Sequence, residues 1–134
     1  FISIIIINIS GGTCFMTIKI KRVYETPSKE DGKRILIDRL WPRGLSKDKA
    51  QVDIWLKEIA PSTELRKLYG HLPEKHDEFR NLYENELTLN PICSDAVEML
   101  KSMAEKDDLT LLYGARDKVY NHAVVLLNWI LSNN

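Results

Sequence analysis

Polar residues with chemical capability follow two short apolar runs in this 134-residue chain. After Ile35-Leu36-Ile37 comes Asp38-Arg39-Leu40-Trp41-Pro42-Arg43-Gly44, and after Leu109 to Tyr113 comes Gly114-Ala115-Arg116-Asp117, followed by Asn121-His122. A guanidinium is planar and permanently charged, so it holds a carboxylate or phosphate through two parallel hydrogen bonds, and a nearby helix N-terminus adds free N–H donors. Arg39, Arg43 and Arg116 on one rim therefore predict an anion site, with Asp38 and Asn121 beside them. The alternative is structural: Asp38 and Asp117 pair with the arginines and fasten loop to strand. His122 has the same two readings, a general acid/base near neutral pH, with Asp117 the other residue that would move a proton, or a structural donor in the first turn of a helix. Trp41 lies inside the arginine segment, placed either to stack on a flat ligand or to pack.

Other chemistries find no support in the spacing. His71 and His76 are five residues apart, off a common helix face, and no H-E-x-x-H or Cys-Cys-His grouping occurs, so no metal or cofactor is expected. Neither G-x-S-x-G nor a glycine-rich phosphate cradle is present. Cys14 and Cys93 are the only thiols, too few for a disulfide framework, and Cys93 reads as buried.

The elements that must position these residues follow from periodicity. Thr17 to Tyr24 begins with period-two alternation, a half-buried strand near a sheet edge, and Pro27 to Gly32 is a turn. Arg34 to Trp41 holds an unbroken apolar run, the pattern of a parallel strand covered on both faces. Val52, Trp55, Leu56 and Ile59 fall at helical spacing, which predicts a helix with Trp55 in the core. Ser62 caps a short helix ending near Gly70-His71, a third helix follows Pro73 and is broken at Asn90-Pro91, and a fourth starts at Ser94. Leu109 to Tyr113 is a buried strand, and Asn121 to Ser132 a helix that is apolar on most of its circumference. Strand, strand, helices, strand, helix predicts a single α/β domain with a small, mostly parallel sheet flanked by helices. In such sheets ligands bind outside the carboxyl ends of the strands, where the arginine segments fall.

The chain carries 19 Lys+Arg and 19 Asp+Glu, and 44% of it is apolar. All of these charges lie after residue 15. Residues 1–15, with six Ile among the first nine, lack a basic flank and are too short to span a bilayer, so neither a signal peptide nor a membrane segment is expected. The composition shift predicts Met16 as the natural start, with 1–15 a non-native or upstream leader and 16–134 the domain; an extra strand is the alternative. Two cysteines and no membrane segment predict a cytoplasmic protein. The zero net charge hides segregation, since residues 17–50 hold ten Lys/Arg against five Asp/Glu while residues 51–134 hold nine against fourteen. That basic third supports a small anionic partner and leaves nucleic acid as a second candidate.

Three strings, Arg34 to Gly44, Trp55-Leu56-Lys57-Glu58-Ile59-Ala60-Pro61-Ser62 with Leu65-Arg66, and Leu109 to Asp117 followed by Asn121 to Leu126, resemble the YeaO-like family, domain of unknown function 488, over residues 16–134. The resemblance implies a small α/β cytoplasmic protein beginning at Met16 and supplies no activity. It departs at Gly114, where the family more often has Ala. Longer relatives look similar at the Asp38 and Asp117 segments but carry a cysteine near Asn121, whose loss argues against thiol chemistry. The second string suggests that two short helices cover the rim and bring Arg66 and His71 to it. Two functions follow as expectations: binding of, or action on, an anionic small molecule, or a nucleic-acid-associated or regulatory module without catalysis.

Overall fold

The computed structural model describes residues 2–9, 12–69 and 72–132, with side chains from 17–68 and 72–132. The strands are β1 (Ile2–Ile9), β2 (Gly12–Arg22), β3 (Lys33–Leu36), β4 (Ile54–Trp55) and β5 (Leu109–Tyr113). They form one sheet in the order β1-β2-β5-β3-β4. β2, β5, β3 and β4 run parallel, and β1 lies antiparallel against β2 at the edge. The helices are α1 (Lys47–Ala50), α2 (Thr63–Tyr69), α3 (His76–Leu89), α4 (Pro91–Ala104) and α5 (His122–Ser132). This is an α/β architecture with a mostly parallel sheet.

Strand alternation sorts residues between two unequal layers. Ile18, Ile20, Ile35, Ile37, Leu109 and Leu111 point to one face, where Leu87, Val97, Leu100, Leu126 and Ile130 from α3, α4 and α5 close the main core. The other face carries Leu36 and Leu112, covered thinly by Val23, Ala50 and the partly buried Trp41, Leu45 and Val52. The same face holds a polar cluster. The buried Arg34 pairs with Asp31 and donates to the Ala50 and Gln51 carbonyls, Lys21 joins Asp31 at 3.2 Å, and Thr110 Oγ1 donates to Asp31 O at 2.6 Å. Burial on both faces explains the unbroken apolar runs of β3 and β5.

One segment departs from its periodicity. Residues 52–59 form no α-helix: Ile54–Trp55 is the edge strand β4, and Lys57–Ile59 is a single turn of 3-10 helix. The edge of β3 claims this segment, with Arg34 N donating to Asp53 Oδ2, Asp53 N to Arg34 O and Leu56 N to Leu36 O, each at 2.8 Å. β-branched Val52 and Ile54 suit that conformation better than a helix. Trp55 consequently leaves the core, is 38% exposed, and donates its indole N–H to Asp38 O at 2.7 Å. β3 also ends at Leu36, short of Trp41, because the chain turns away to build the rim. α4 starts three residues before Ser94, with Asn90 capping the Ile92 N–H and Pro91 in the first turn. Ser62 does cap α2, accepting from Leu65 N at 3.2 Å.

Candidate functional site

A cavity of about 240 Å³ opens at the carboxyl ends of β2, β3 and β5, the position the strand-end rule assigns to ligands. The exit of β2 supplies Tyr24, and the exit of β3 supplies Asp38, Arg39, Leu40, Trp41, Pro42 and Arg43. Ala60 and Pro61 before α2 and Arg66 within it form one side, with Leu72 and, at the start of α3, His76 and Phe79. Gly114, Ala115, Tyr120, Asn121 and His122 complete the lining from the β5–α5 segment.

The floor is a fixed polar pair. Asp38 Oδ2 accepts the Gly114 N–H at 2.8 Å, and Oδ1 lies 2.9 Å from His122 Nε2, which is also 3.2 Å from Ile37 O. Both neighbours of Nε2 are acceptors, so that nitrogen carries a proton, and the imidazole ties β3 to α5. The contact to Oδ1 is close but poorly aligned, leaving this buried oxygen without a well-formed hydrogen bond. Gly114 lets the carboxylate approach, since a Cβ there would stand 2.9 Å from Asp38 Oδ2.

The sequence-selected cations separate into three groups. Arg39 lines the cavity but donates to the carbonyls of Pro61 and Ala60, each at 3.0 Å, and so fastens the β3 exit to the approach of α2. Arg43 is exposed and Arg66 half-buried; both line the cavity, and neither guanidinium has a hydrogen-bond or ion-pair partner among the described residues. Arg116 is exposed and outside the lining.

Asp117 also lies outside the lining. Its Oδ1 accepts the N–H groups of Val119 and Tyr120, both at 2.9 Å, and these bonds hold its carboxyl below the usual range, Tyr120 contributing most. Asn121 is buried, donates to Asp117 O at 2.8 Å and accepts from Val124 N at 3.1 Å, capping α5. His71 lies outside the described residues. Trp41 does line the cavity, its indole N–H donating to Leu45 O at 2.7 Å. Cys93 is buried and outside the lining, and burial raises its thiol pKa, with Glu86 adding to the effect.

Sequence reasoning missed an aromatic wall. His76 meets Tyr120 edge-on at 5.1 Å and stacks on Phe79 at 6.3 Å. Burial, together with the nearby Arg80 charge, lowers the His76 pKa against the pull of Asp77 and Asp117 and so favours the neutral ring. Tyr24 could have been found by applying the strand-end rule to β2 as well as to β3 and β5. His76 and Phe79 carried no local signal, because α3 reaches the rim only through tertiary packing. Among the described residues no group of three metal-ligating side chains is assembled, and no helix is long and apolar enough to cross a membrane.

An open, mostly parallel α/β sheet with an arginine-lined cavity at its strand ends defines the class of protein. The chain belongs to the DUF488 family: the family described as "Inactive DUF488-N3 subclade" matches residues 17–134. It is similar to "Uncharacterized protein YeaO" of Escherichia coli (strain K12), 44% identical over 117 residues, which cover 87% of this chain and 99% of that protein. It is also similar to "Uncharacterized protein Rv3073c" of Mycobacterium tuberculosis (strain ATCC 25618 / H37Rv), 40% identical over 109 residues, 81% of this chain and 89% of that protein. No solved structure matches the chain.

Proposed function

We propose that the protein binds a small anionic ligand, phosphate- or carboxylate-bearing, in the strand-end cavity, with Arg43 and Arg66 as its counter-charges. The observation that carries this reading is the pair of guanidinium groups on one concave surface that have no partner among the described residues. Two such groups match the double hydrogen bonding of a carboxylate or phosphate. Arg39 holds the loop that presents Arg43, and Arg116 has no part in the site. Binding without turnover is the form we favour. His122 is engaged with Asp38 and Ile37, Asp117 is engaged by backbone N–H groups away from the cavity, and the matching family is described as inactive.

Thermal unfolding tests the reading. A ligand at ten times its Kd stabilises the native state by about 1.4 kcal/mol, a rise of roughly 3–7 °C for a domain of this size. Millimolar phosphate or sulfate is expected to raise the melting temperature of the wild type by such an amount and to leave Arg43→Ala unmoved at matched ionic strength. Equal shifts in both proteins, or none in either, would overturn it.

A further inference from the structure

We infer that the ligand of this cavity carries a single planar aromatic ring joined to its anionic group, so that the chemical class is an aryl or heteroaryl phosphate and not an aliphatic one. The inference rests on the anion-binding reading above and adds the other half of the ligand.

Aromatic side chains gather at this one rim from four separate segments: Tyr24 after β2, Trp41 after β3, His76 and Phe79 in α3, and Tyr120 before α5. Tyr24 and Tyr120 each remain 43% exposed, although rings of this size gain most by burial. Exposed apolar surface concentrated at a concave site marks a place that is covered when occupied.

The polar donors of Trp41 and Tyr24 are already used. The Trp41 indole N–H is given to Leu45 O, and the Tyr24 hydroxyl donates to Arg43 O at 2.9 Å. What these two residues offer the cavity is ring surface, not hydrogen bonds.

The rings are also held in place before any ligand arrives. Trp41 meets Trp55 edge-on at 5.5 Å with 71° between planes, and His76 meets Tyr120 at 64°. Pre-set rings lose little freedom on stacking, so the preference for an aromatic ligand is retained in the affinity. His76, in the lining beside Tyr120, adds a further ring surface.

Size sets the upper limit. A cavity of about 240 Å³ is at the small end of ligand sites, room for one ring and its anion but not for a run of nucleotides. Stacking on one aromatic side chain typically changes affinity about tenfold.

Calorimetric titration of the whole chain at pH 7.5 and fixed ionic strength, with phenyl phosphate, glycerol phosphate and inorganic phosphate, decides the matter. Phenyl phosphate is expected to bind at least about tenfold more tightly than the other two. Tyr120→Leu and Trp41→Leu are each expected to narrow that gap while keeping phosphate affinity, and Tyr120, being exposed, keeps the test available if the Trp41 variant fails to fold. Phenyl phosphate binding within twofold of glycerol phosphate would overturn the aromatic inference and leave the anion reading standing. No binding of any of the three would overturn both.

Discussion

Arg39 and Arg43 stand four residues apart on one loop with identical chemistry, yet the fold gives them different tasks. Arg39 is consumed by the Ala60 and Pro61 carbonyls, while the Arg43 guanidinium has no protein partner among the described residues. Arg39→Ala is therefore expected to lose about 1–3 kcal/mol in urea unfolding while keeping its response to phosphate. Arg43→Ala is expected to stay within about 0.5 kcal/mol of wild type and to lose that response. The sequence made the loop's chemistry legible, because charged residues directly follow an apolar run. It could not rank the arginines, since the carbonyls that occupy Arg39 come from a loop far downstream. Asp117 was equally hard to place: its position after a strand end, near His122 in sequence, suggested proton transfer, and its carboxylate closes the turn before α5. At Asp31 burial pushes the carboxyl up, but the Ser28 N–H and the Lys21 and Arg34 side chains outweigh it and hold the pKa below its ordinary value. A depressed folded pKa contributes stability that is present above the unfolded value of about 3.9 and lost as pH falls through the folded one. Wild-type stability should thus fall below about pH 4, whereas Asp31→Asn should be less stable at pH 7 and flatter in acid, as measured by unfolding across that range.

Elements with two covered faces or strong end signals were readable, and elements decided by a neighbour were not. β5 and α5 follow from the apolar content of Leu109 to Tyr113 and of His122 to Ser132. Residues 52–59 show the opposite case, because helical spacing there competes with an open β3 edge and the edge wins through backbone pairing. The turn into β3 depends on Gly32, whose φ of 64° and ψ of −135° suit glycine alone. A Cβ there would also lie 2.3 Å from Asp108 O. Gly32→Ala is expected to cost about 2–4 kcal/mol by chemical denaturation. Gly44 has φ 77° with nothing within 4 Å of a Cβ, so Gly44→Ala should cost only about 1–2 kcal/mol.

Across the whole molecule, half of the ten cations in residues 17–50 prove to be internal ties. Of the basic third, Lys19 donates to Glu30 O, Lys21 and Arg34 bind Asp31, Arg22 donates to Ala115 O and Gly114 O, and Arg39 is fastened as described. Half of what composition presented as a basic edge for a polyanion is thus fold cement, Lys29, Lys33, Lys47 and Lys49 stay exposed, and Arg39 and Arg43 are the members of that third that line the cavity. The sheet is similarly graded: β2, β5, β3 and β4 carry the described core, and β1 pairs with the outer edge of β2. The family match begins at residue 17, so a chain starting at Met16 is expected to unfold cooperatively and to keep its response to phosphate. The most direct measurement is anomalous diffraction from crystals soaked in selenate, a phosphate-like anion with a locatable selenium. A peak is expected in the strand-end cavity, with oxygens about 2.7–2.9 Å from the Arg43 and Arg66 guanidinium nitrogens, and displaceable by excess phosphate. Selenate absent from that cavity, whether bound elsewhere or not at all, would contradict the account.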